Sequence, residues 1–394
     1  MQLKMLFNHQ VVLLHRRSCI MSNTIENVII IGAGIGGLSA AISLRKIGLQ
    51  VTLCEGSAHD APTGTGITQP QNTFKVLKDL GVYEECLEQG VQLDSMHILN
   101  KEGRVLLEVN QKFLNEDLPG RNSIWRSSLN DILLTKALSL GVTMQWNKKL
   151  KTYEENEHGV TVYFEDDTIL EADLLVGFDG IRSKVRNMML QREVQSSYLG
   201  MGSWRVPIEF PAGTLTTTSY MLLNEDNKVG IFPLTATDGY MFILKPVDED
   251  YRDPKEQRYD TVRNMLEPFQ WKKDFLNNCF QPDSRILFNM IRQVVLKEKW
   301  YSQRVVIGGD AAHASAPNLA QGAAMAIEDA IVLAEEIDQH HSLSEALSAY
   351  YDRRYPRARE VQRLSEELLI NEMSGKSSQQ EIIQQCDALL EKAY

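Results

Sequence analysis

The chain has 394 residues, 43% hydrophobic and 24% charged, with 41 Lys and Arg against 52 Asp and Glu for a formal net charge of −11. That length accommodates two or three domains, and the composition is that of a folded, soluble protein and not of a disordered one. The negative balance excludes a general binder of nucleic acid or anionic membrane, so an anionic ligand has to be held by a local array of donors.

Residues 1–23 hold a short apolar stretch that Asn8, His9 and Gln10 interrupt. Arg16 and Arg17 follow that stretch where a secretory signal would place its cations first. The segment therefore reads as a poorly ordered N-terminal extension, with Met21 as a candidate native start. No apolar run approaches the roughly 18 residues of a membrane-spanning helix. Cys19, Cys54, Cys86, Cys279 and Cys386 are widely spaced, with no CxxC pair, and no HExxH occurs. Neither a disulfide framework nor a bound metal is expected, and a reducing, cytoplasmic setting fits.

Along the chain, Asn-Val-Ile-Ile-Ile at 27–31 predicts a strand buried on both faces. Glycines follow, then a helix over 38–47 ended by Gly48, and a strand over 50–54 that closes on Glu55. This βαβ unit calls for a parallel sheet. A small-residue loop at 61–66 leads into a helix over 71–80, and alternating segments over 91–109 predict antiparallel strands. The pattern then predicts a helix over 127–140 and strands over 161–164 and 173–177. Over 195–295, aromatic and β-branched residues alternate with turn signals at Asn227-Lys228 and Thr237-Asp238-Gly239, a second, mostly antiparallel layer. A buried strand at 304–308, a helix at 323–337 and a charged, helix-forming stretch at 342–394 containing Pro356 complete the chain.

Gly32-Ala33-Gly34-Ile35-Gly36-Gly37 fits GxGxxG between a strand and a helix. Gly32 permits the tight turn, Gly34 lets a diphosphate approach the backbone, and Gly37 allows close helix–strand packing. The unpaired N–H groups of the helix start, with a partial charge of roughly +0.5, explain how an acidic protein holds an anion. Glu55 lies 23 residues beyond Gly32, where a carboxylate meets ribose hydroxyls. The pattern points to a nucleotide and does not separate NAD from FAD.

Two further motifs are Asp173-Leu-Leu-Val-Gly-Phe-Asp179-Gly180-Ile-Arg182-Ser183-Lys-Val-Arg186 and a segment running from Gly309-Asp310 through His313 and Pro317 to Gln321-Gly322-Ala323 and Glu328-Asp329. With the glycine loop and Trp125-Arg126-Ser-Ser-Leu129, they give the chain a strong resemblance, over about 27–330, to the FAD-dependent aromatic hydroxylases related to para-hydroxybenzoate and salicylate hydroxylases. The resemblance implies an α/β fold. A Rossmann-like FAD-binding domain with a parallel sheet would carry an inserted, mostly antiparallel substrate domain and C-terminal helices. The expected division is 24–90, 121–194 and 296–341 for the FAD-binding domain, 91–120 and 195–295 for the substrate domain, and 342–394 for the helical end.

It also implies roles. Asp310, at a strand's carboxyl end, would bond ribityl hydroxyls, the alternative for such an acid being to cap the following turn. Gln321, Gly322 and Ala323 open a helix whose amides would face the pyrimidine edge of the flavin, and Pro317 would wall the ring. Asp179 would touch the adenosine–ribityl side, with Arg182 and Arg186 nearby, and Arg126 would reach the phosphate or ribityl region. Ile35 and Gly36 belong to the diphosphate turn, and His313 is structural and not a base. Three departures stand out: Gly56 where a basic residue is common, Ala320 where glycine is usual, and Phe178 where a small residue is usual.

The chemistry implied is that of a single-component monooxygenase. NADH or NADPH, bound transiently because no second GxGxxG exists, would reduce FAD. The flavin C4a-hydroperoxide would then hydroxylate an aromatic or heteroaromatic small molecule. Trp204, Arg205, Tyr220, Met221, Phe232, Pro233, Tyr240 and Phe242 are candidates for the pocket, Arg205 for steering an anionic substrate or the flavin. No catalytic base is assigned, and Arg205 and Pro317 are the candidate pocket residues. An FAD-dependent dehydrogenase or oxidase, or a catalytically quiet flavin- or ligand-binding protein, fits the same scaffold. Partners are the substrate and O2, with no nucleic acid and no integral membrane span, in a monomer or homodimer.

Overall fold

The computed structural model describes residues 25–59, 65–111, 120–211, 217–374 and 379–394. The expectations for 1–23, and for 61–64 of the small-residue loop, lie outside them.

The chain opens with β1 (Asn27–Ile31), α1 (Ile35–Lys46) and β2 (Gln50–Cys54). The four residues Val28 to Ile31 are all buried, as a β-branched run between two helix layers must be. Then come β3 (Gly66–Pro70), α2 (Gln71–Leu80), α3 (Tyr83–Glu88), β4 (Val91–Gln92), β5 (Ser95–Asn100), β6 (Val105–Asn110), β7 (Arg121–Trp125), α4 (Arg126–Ser139) and β8 (Thr143–Gln145). A small antiparallel sheet, β9 (Leu150–Glu155), β10 (Val160–Phe164) and β11 (Ile169–Ala172), precedes β12 (Leu174–Gly177) and α5 (Lys184–Met189). The nucleotide-type sheet has the order β18-β12-β1-β2-β8, with β18 at Val305–Ile307 and every pair parallel.

The second layer holds β13 (Ser197–Glu209), β14 (Thr218–Leu223), β15 (Lys228–Pro233), β16 (Asp238–Pro246) and β17 (Leu287–Gln293), and it interposes α6 (Arg258–Leu266) and α7 (Lys273–Asn278), two helices the alternation over 195–295 does not reveal. Its seven-stranded sheet runs β17-β13-β16-β15-β14-β5-β6 and is antiparallel except where β14 meets β5. A three-stranded sheet, β3-β7-β4, meets the seven-stranded sheet where Tyr240 packs at Gly66 and Thr68. After β18 the chain forms α8 (Asp310–His313), a 3-10 turn at Pro317–Leu319, α9 (Gly322–Gln339), α10 (Leu343–Ser374) and α11 (Gln379–Leu390). No helix among the described residues is long and apolar enough to cross a membrane.

Side-chain alternation assigns the faces of the seven-stranded sheet. Trp204, Val206, Ile208, Leu222, Val229, Ile231, Met241 and Ile243 form a core with Val262, Met265 and Leu276 of α6 and α7. The opposite face gathers Met221, Phe232, Leu234 and Tyr240, with Trp125 and Phe242 packed against them. Trp204 and Tyr220 therefore leave the set of expected pocket residues. Trp204 donates its Nε1–H to Asp253 at 2.9 Å, and Tyr220 packs on Trp271 with ring centroids 4.5 Å apart.

Candidate functional site

The glycine turn is sterically determined. Gly32 has φ +100°, and a Cβ there would lie 2.5 Å from the Phe178 carbonyl oxygen. A Cβ on Gly37 would stand 1.8 Å from the Gly32 oxygen, so helix and turn touch backbone to backbone. At Gly34 a Cβ would meet nothing within 4 Å, which leaves an open cradle at the start of α1. Ile35 is buried, no acidic side chain occupies the first turn, and Gly34 provides no side-chain cap. The free N–H groups of that turn are therefore available to a diphosphate.

Phe178, the bulky departure, does not intrude on this cradle. Its ring fills the room left by Gly36, Gly308 and Gly309, where added Cβ atoms would sit 2.5, 2.6 and 3.3 Å from ring carbons.

Glu55 is pinned in place. Its Oε2 accepts from the Ala33 N–H at 2.9 Å and its Oε1 from the Ser57 N–H at 2.8 Å, leaving lone pairs on both oxygens for ribose hydroxyls. Beside it, Lys149 lies over Gly56, its Cγ 3.1 Å from where a Cβ would be. A lysine from the β8–β9 connection thus occupies the neighbourhood of the missing basic residue.

Asp310 follows β18 and begins α8. The Asp310 side chain opens to solvent and its carboxylate has no hydrogen bond to any described residue, while the protein atoms around it raise its pKa against the opposing charges of His313 and Arg126. An accessible carboxylate with both oxygens uncommitted can accept from a ligand rich in hydroxyls. Arg126 starts α4 with its amide on Thr65 O at 2.9 Å and an exposed side chain. Because β18, β12, β1 and β2 are consecutive neighbours, Asp310, Asp179, Gly34 and Glu55 stand in that order along the carboxyl edge. The row spans three strand spacings, about 14 Å. An extended dinucleotide binds across such an edge.

Asp179 has a structural occupation of its own. Its Oδ1 accepts from Ser183 Oγ at 2.5 Å and its Oδ2 from the Val185 N–H at 3.1 Å, so it caps α5. Burial raises its pKa, and these donors oppose the rise. Arg186 points inward, donating to Ala311 O at 3.1 Å and Ile181 O at 3.0 Å, whereas Arg182 is exposed. The Gln321 side chain is buried and exchanges hydrogen bonds with Asn72, 2.8 Å in one direction and 3.2 Å in the other. Gly322 is open, with nothing within 4 Å of an added Cβ, Ala323 is half-buried, and the first turn of α9 carries no acid. Pro317 is exposed at the head of the 3-10 turn that Ala320 closes at φ +55°.

His313 is buried, its Nε2 2.5 Å from Asp329 Oδ2. Arg205 is half-buried, and burial lowers its pKa, with Tyr240 and Arg126 in electrostatic reach. Tyr240 packs against the Cα of Gly66, and its hydroxyl is 3.2 Å from Thr68 Oγ1, so it joins the seven-stranded sheet to β3. Sequence reasoning missed Arg121. Nothing in the spacing of Arg121-Asn-Ser-Ile-Trp125 marks it, and only the packing of β7 against Tyr240 brings it to the site.

The residues present fit FAD along the edge from Glu55 to Gly322. Residues 26–365 match the family model described as an FAD binding domain. Over 369 residues the chain is 47% identical to YetM of Bacillus subtilis (strain 168), to which an FAD-dependent monooxygenase activity is ascribed, covering 94% of this chain and 100% of that protein. It is 27% identical to the 6-hydroxynicotinate 3-monooxygenase of Bordetella bronchiseptica, covering 86% and 90% of the two chains. Its fold matches that of Klebsiella pneumoniae HpxO, solved with FAD and uric acid, at a TM-score of 0.81 and 23% identity over 93% of this chain and 97% of that one.

Proposed function

The chain belongs to the FAD-dependent monooxygenases of the aromatic hydroxylase type, and from that premise we propose that it hydroxylates an aromatic or heteroaromatic small molecule with O2, drawing electrons from NADH or NADPH. One observation carries the reading. A cradle for a dinucleotide runs from Glu55 through Gly34 to Asp310, and Arg126 stands within electrostatic reach of both Asp310 and Arg205, which in turn reaches Tyr240 of the aromatic cluster it forms with Phe232 and Phe242.

When bound, FAD supplies the redox chemistry, passing electrons from the nicotinamide donor to O2 and one oxygen atom to the substrate. The protein's own residues bind, orient and shield. Glu55 would hold the adenosine ribose, the first turn of α1 the diphosphate, and Asp310 and Arg126 the ribityl region. The amides at Gly322 and Ala323 would stabilise negative charge at the ring's pyrimidine edge. Met221, Phe232, Tyr240 and Phe242 offer apolar contact to a flat substrate and keep water out. Two ring systems fit the class by analogy: the pyridine acid of the Bordetella enzyme and the purine in HpxO.

The test loads the purified chain with FAD and supplies NADH or NADPH, 18O2 and a panel of phenols, pyridines and purines. We expect substrate-stimulated nicotinamide oxidation and one labelled oxygen per product. Stoichiometric hydrogen peroxide with unlabelled product would instead mark an oxidase. Bound FAD without turnover across the panel would mark a ligand-binding protein.

A further inference from the structure

We propose that Asn72 is a positioning residue for the flavin: with Gln321 it locks the starts of α2 and α9 together, and that lock sets how strongly bound FAD favours its reduced, negatively charged form. This rests on the function proposed above, in which the flavin's pyrimidine edge lies at Gly322, and extends it to a residue outside the cofactor motifs.

The lock is a closed ring of two amides. Asn72 Nδ2 donates to Gln321 Oε1 at 2.8 Å, and Gln321 Nε2 donates back to Asn72 Oδ1 at 3.2 Å. Asn72 is the second residue of α2, and Gln321 is the residue from which α9 starts. Gln321 is buried and Asn72 half-buried, so water competes weakly for these bonds. Two planar groups joined by two directional bonds fix rotation as well as separation, which registers the first turn of one helix against that of the other.

Electrostatics works against this contact. A helix start carries roughly +0.5 of an elementary charge, so two starts held together repel each other unless an acid stands between them. Neither first turn holds an acid, and neither start is capped by a side-chain hydrogen bond. An aspartate is a common residue at such a place, and it would cancel the charge. The neutral amide pair instead joins the two ends and leaves both uncancelled. In the same turn of α2, Thr73 Oγ1 and Gln71 Nε2 are buried with no hydrogen-bond partner among the described residues. Gly322, next in the chain after Gln321, opens onto free space. Two positive ends, unused polar atoms and room at Gly322 suit a flat ligand that gains negative charge, as the pyrimidine edge of a flavin does on reduction. Asn72 acts on that edge through α9, because both polar atoms of its side chain are spent on Gln321.

The test measures the two-electron midpoint potential of the FAD-loaded protein, with the melting of each variant alongside. Asn72→Leu removes the lock, and reduced FAD should lose about tenfold in affinity relative to oxidised FAD, a fall of about 30 mV. Asn72→Asp keeps the size and the bond from Gln321 Nε2, and its carboxylate in the first turn of α2 favours the helix. Its potential should fall at least as far while it melts no lower than Asn72→Leu, a separation of potential from stability that a purely structural role would not produce. The exchanged pair, Asn72→Gln with Gln321→Asn, restores two amides of the same combined length and should return the affinity ratio to within about twofold of native, or about 9 mV. A potential unmoved in either folded Asn72 variant, or left lowered in the exchanged pair, overturns the lock. If Asn72→Leu does not fold, Asn72→Asp and the exchanged pair decide. A chain that takes up no FAD brings down the proposed function and the lock together. One that holds FAD and hydroxylates a substrate, with its potential indifferent to Asn72, brings down the lock alone.

Discussion

Gly34 and Gly37 belong to one motif and do opposite work. An alanine at 34 would project into open space, and one at 37 would collide with the turn. Gly34→Ala should change the melting of the FAD-free protein by no more than about 1 kcal/mol. Its FAD affinity should fall about tenfold, or about 1.4 kcal/mol, in a fluorescence titration. Gly37→Ala should cost about 3 kcal/mol or prevent folding, with or without FAD. Spacing alone marks both positions as glycine and cannot rank them, because the obstructing atom at 37 belongs to a fold in which turn and helix are already pressed together. The same applies to acids. Glu55 and Asp310 read alike as strand-end carboxylates, yet Glu55 is held by two backbone amides and Asp310 by none. Asp179, a third such acid, spends its oxygens on α5.

At the scale of elements, α9 and α10 are joined by a buried ionic network. Asp329 Oδ1 accepts from Arg354 Nε at 2.7 Å, and its Oδ2 accepts from the Gly309 N–H at 2.8 Å and meets His313. Glu328 accepts from Arg354 at 2.7 Å and from Arg357 at 2.8 and 3.0 Å. This network ties the turn that carries Asp310 to the long C-terminal helix. Burial by itself would raise the Asp329 carboxyl, but the His313 and Arg354 charges outweigh it and hold the group well below its usual range. A depressed folded-state pKa stabilises the protein above the unfolded value of 3.8, and the contribution is lost as pH falls from there toward the folded value. Asp329→Asn should cost about 3–5 kcal/mol at pH 7, by removing one partner of a buried pair. The difference from the native protein should shrink below about pH 4 in equilibrium denaturation. The helix α10 runs through Pro356, which costs about 3 kcal/mol in a helix interior. The packing of Tyr350, Arg354, Val361 and Leu364 around it shows tertiary contacts overriding local preference.

Over the whole molecule, the far end of α10 fastens the two layers together. Glu372 accepts from Lys228 of β15 at 2.7 Å and from Asn318 of the 3-10 turn at 2.7 Å. Lys228 and Glu372 keep only 19% and 14% of their side chains exposed, so solvent screens the pair weakly. A double-mutant cycle of Lys228→Met with Glu372→Gln should give a coupling of about 1 kcal/mol in denaturant melts. Additive losses would show that the Lys228–Glu372 pair does not help hold the sheet to α10.

Within stretches of about 30 residues, the amino-acid order by itself determined a great deal. The run β1–α1–β2, the helix at Gln71–Leu80, the position of the diphosphate turn and the carboxylates at the strand ends all follow from β-branched runs, glycine spacing and the period of apolar side chains. These signals are local, and the backbone obeys them wherever the segment is placed. Tertiary structure alone decided which partner each polar group takes and which layer each strand face meets. Asn72 and Gln321 bond each other across 249 residues, α6 and α7 cover the face that claims Trp204 and Tyr220, and Arg121 reaches the site because Tyr240 packs on Gly66. Side-chain alternation gives two faces to every strand, but only the packing of one sheet against another says which face looks inward.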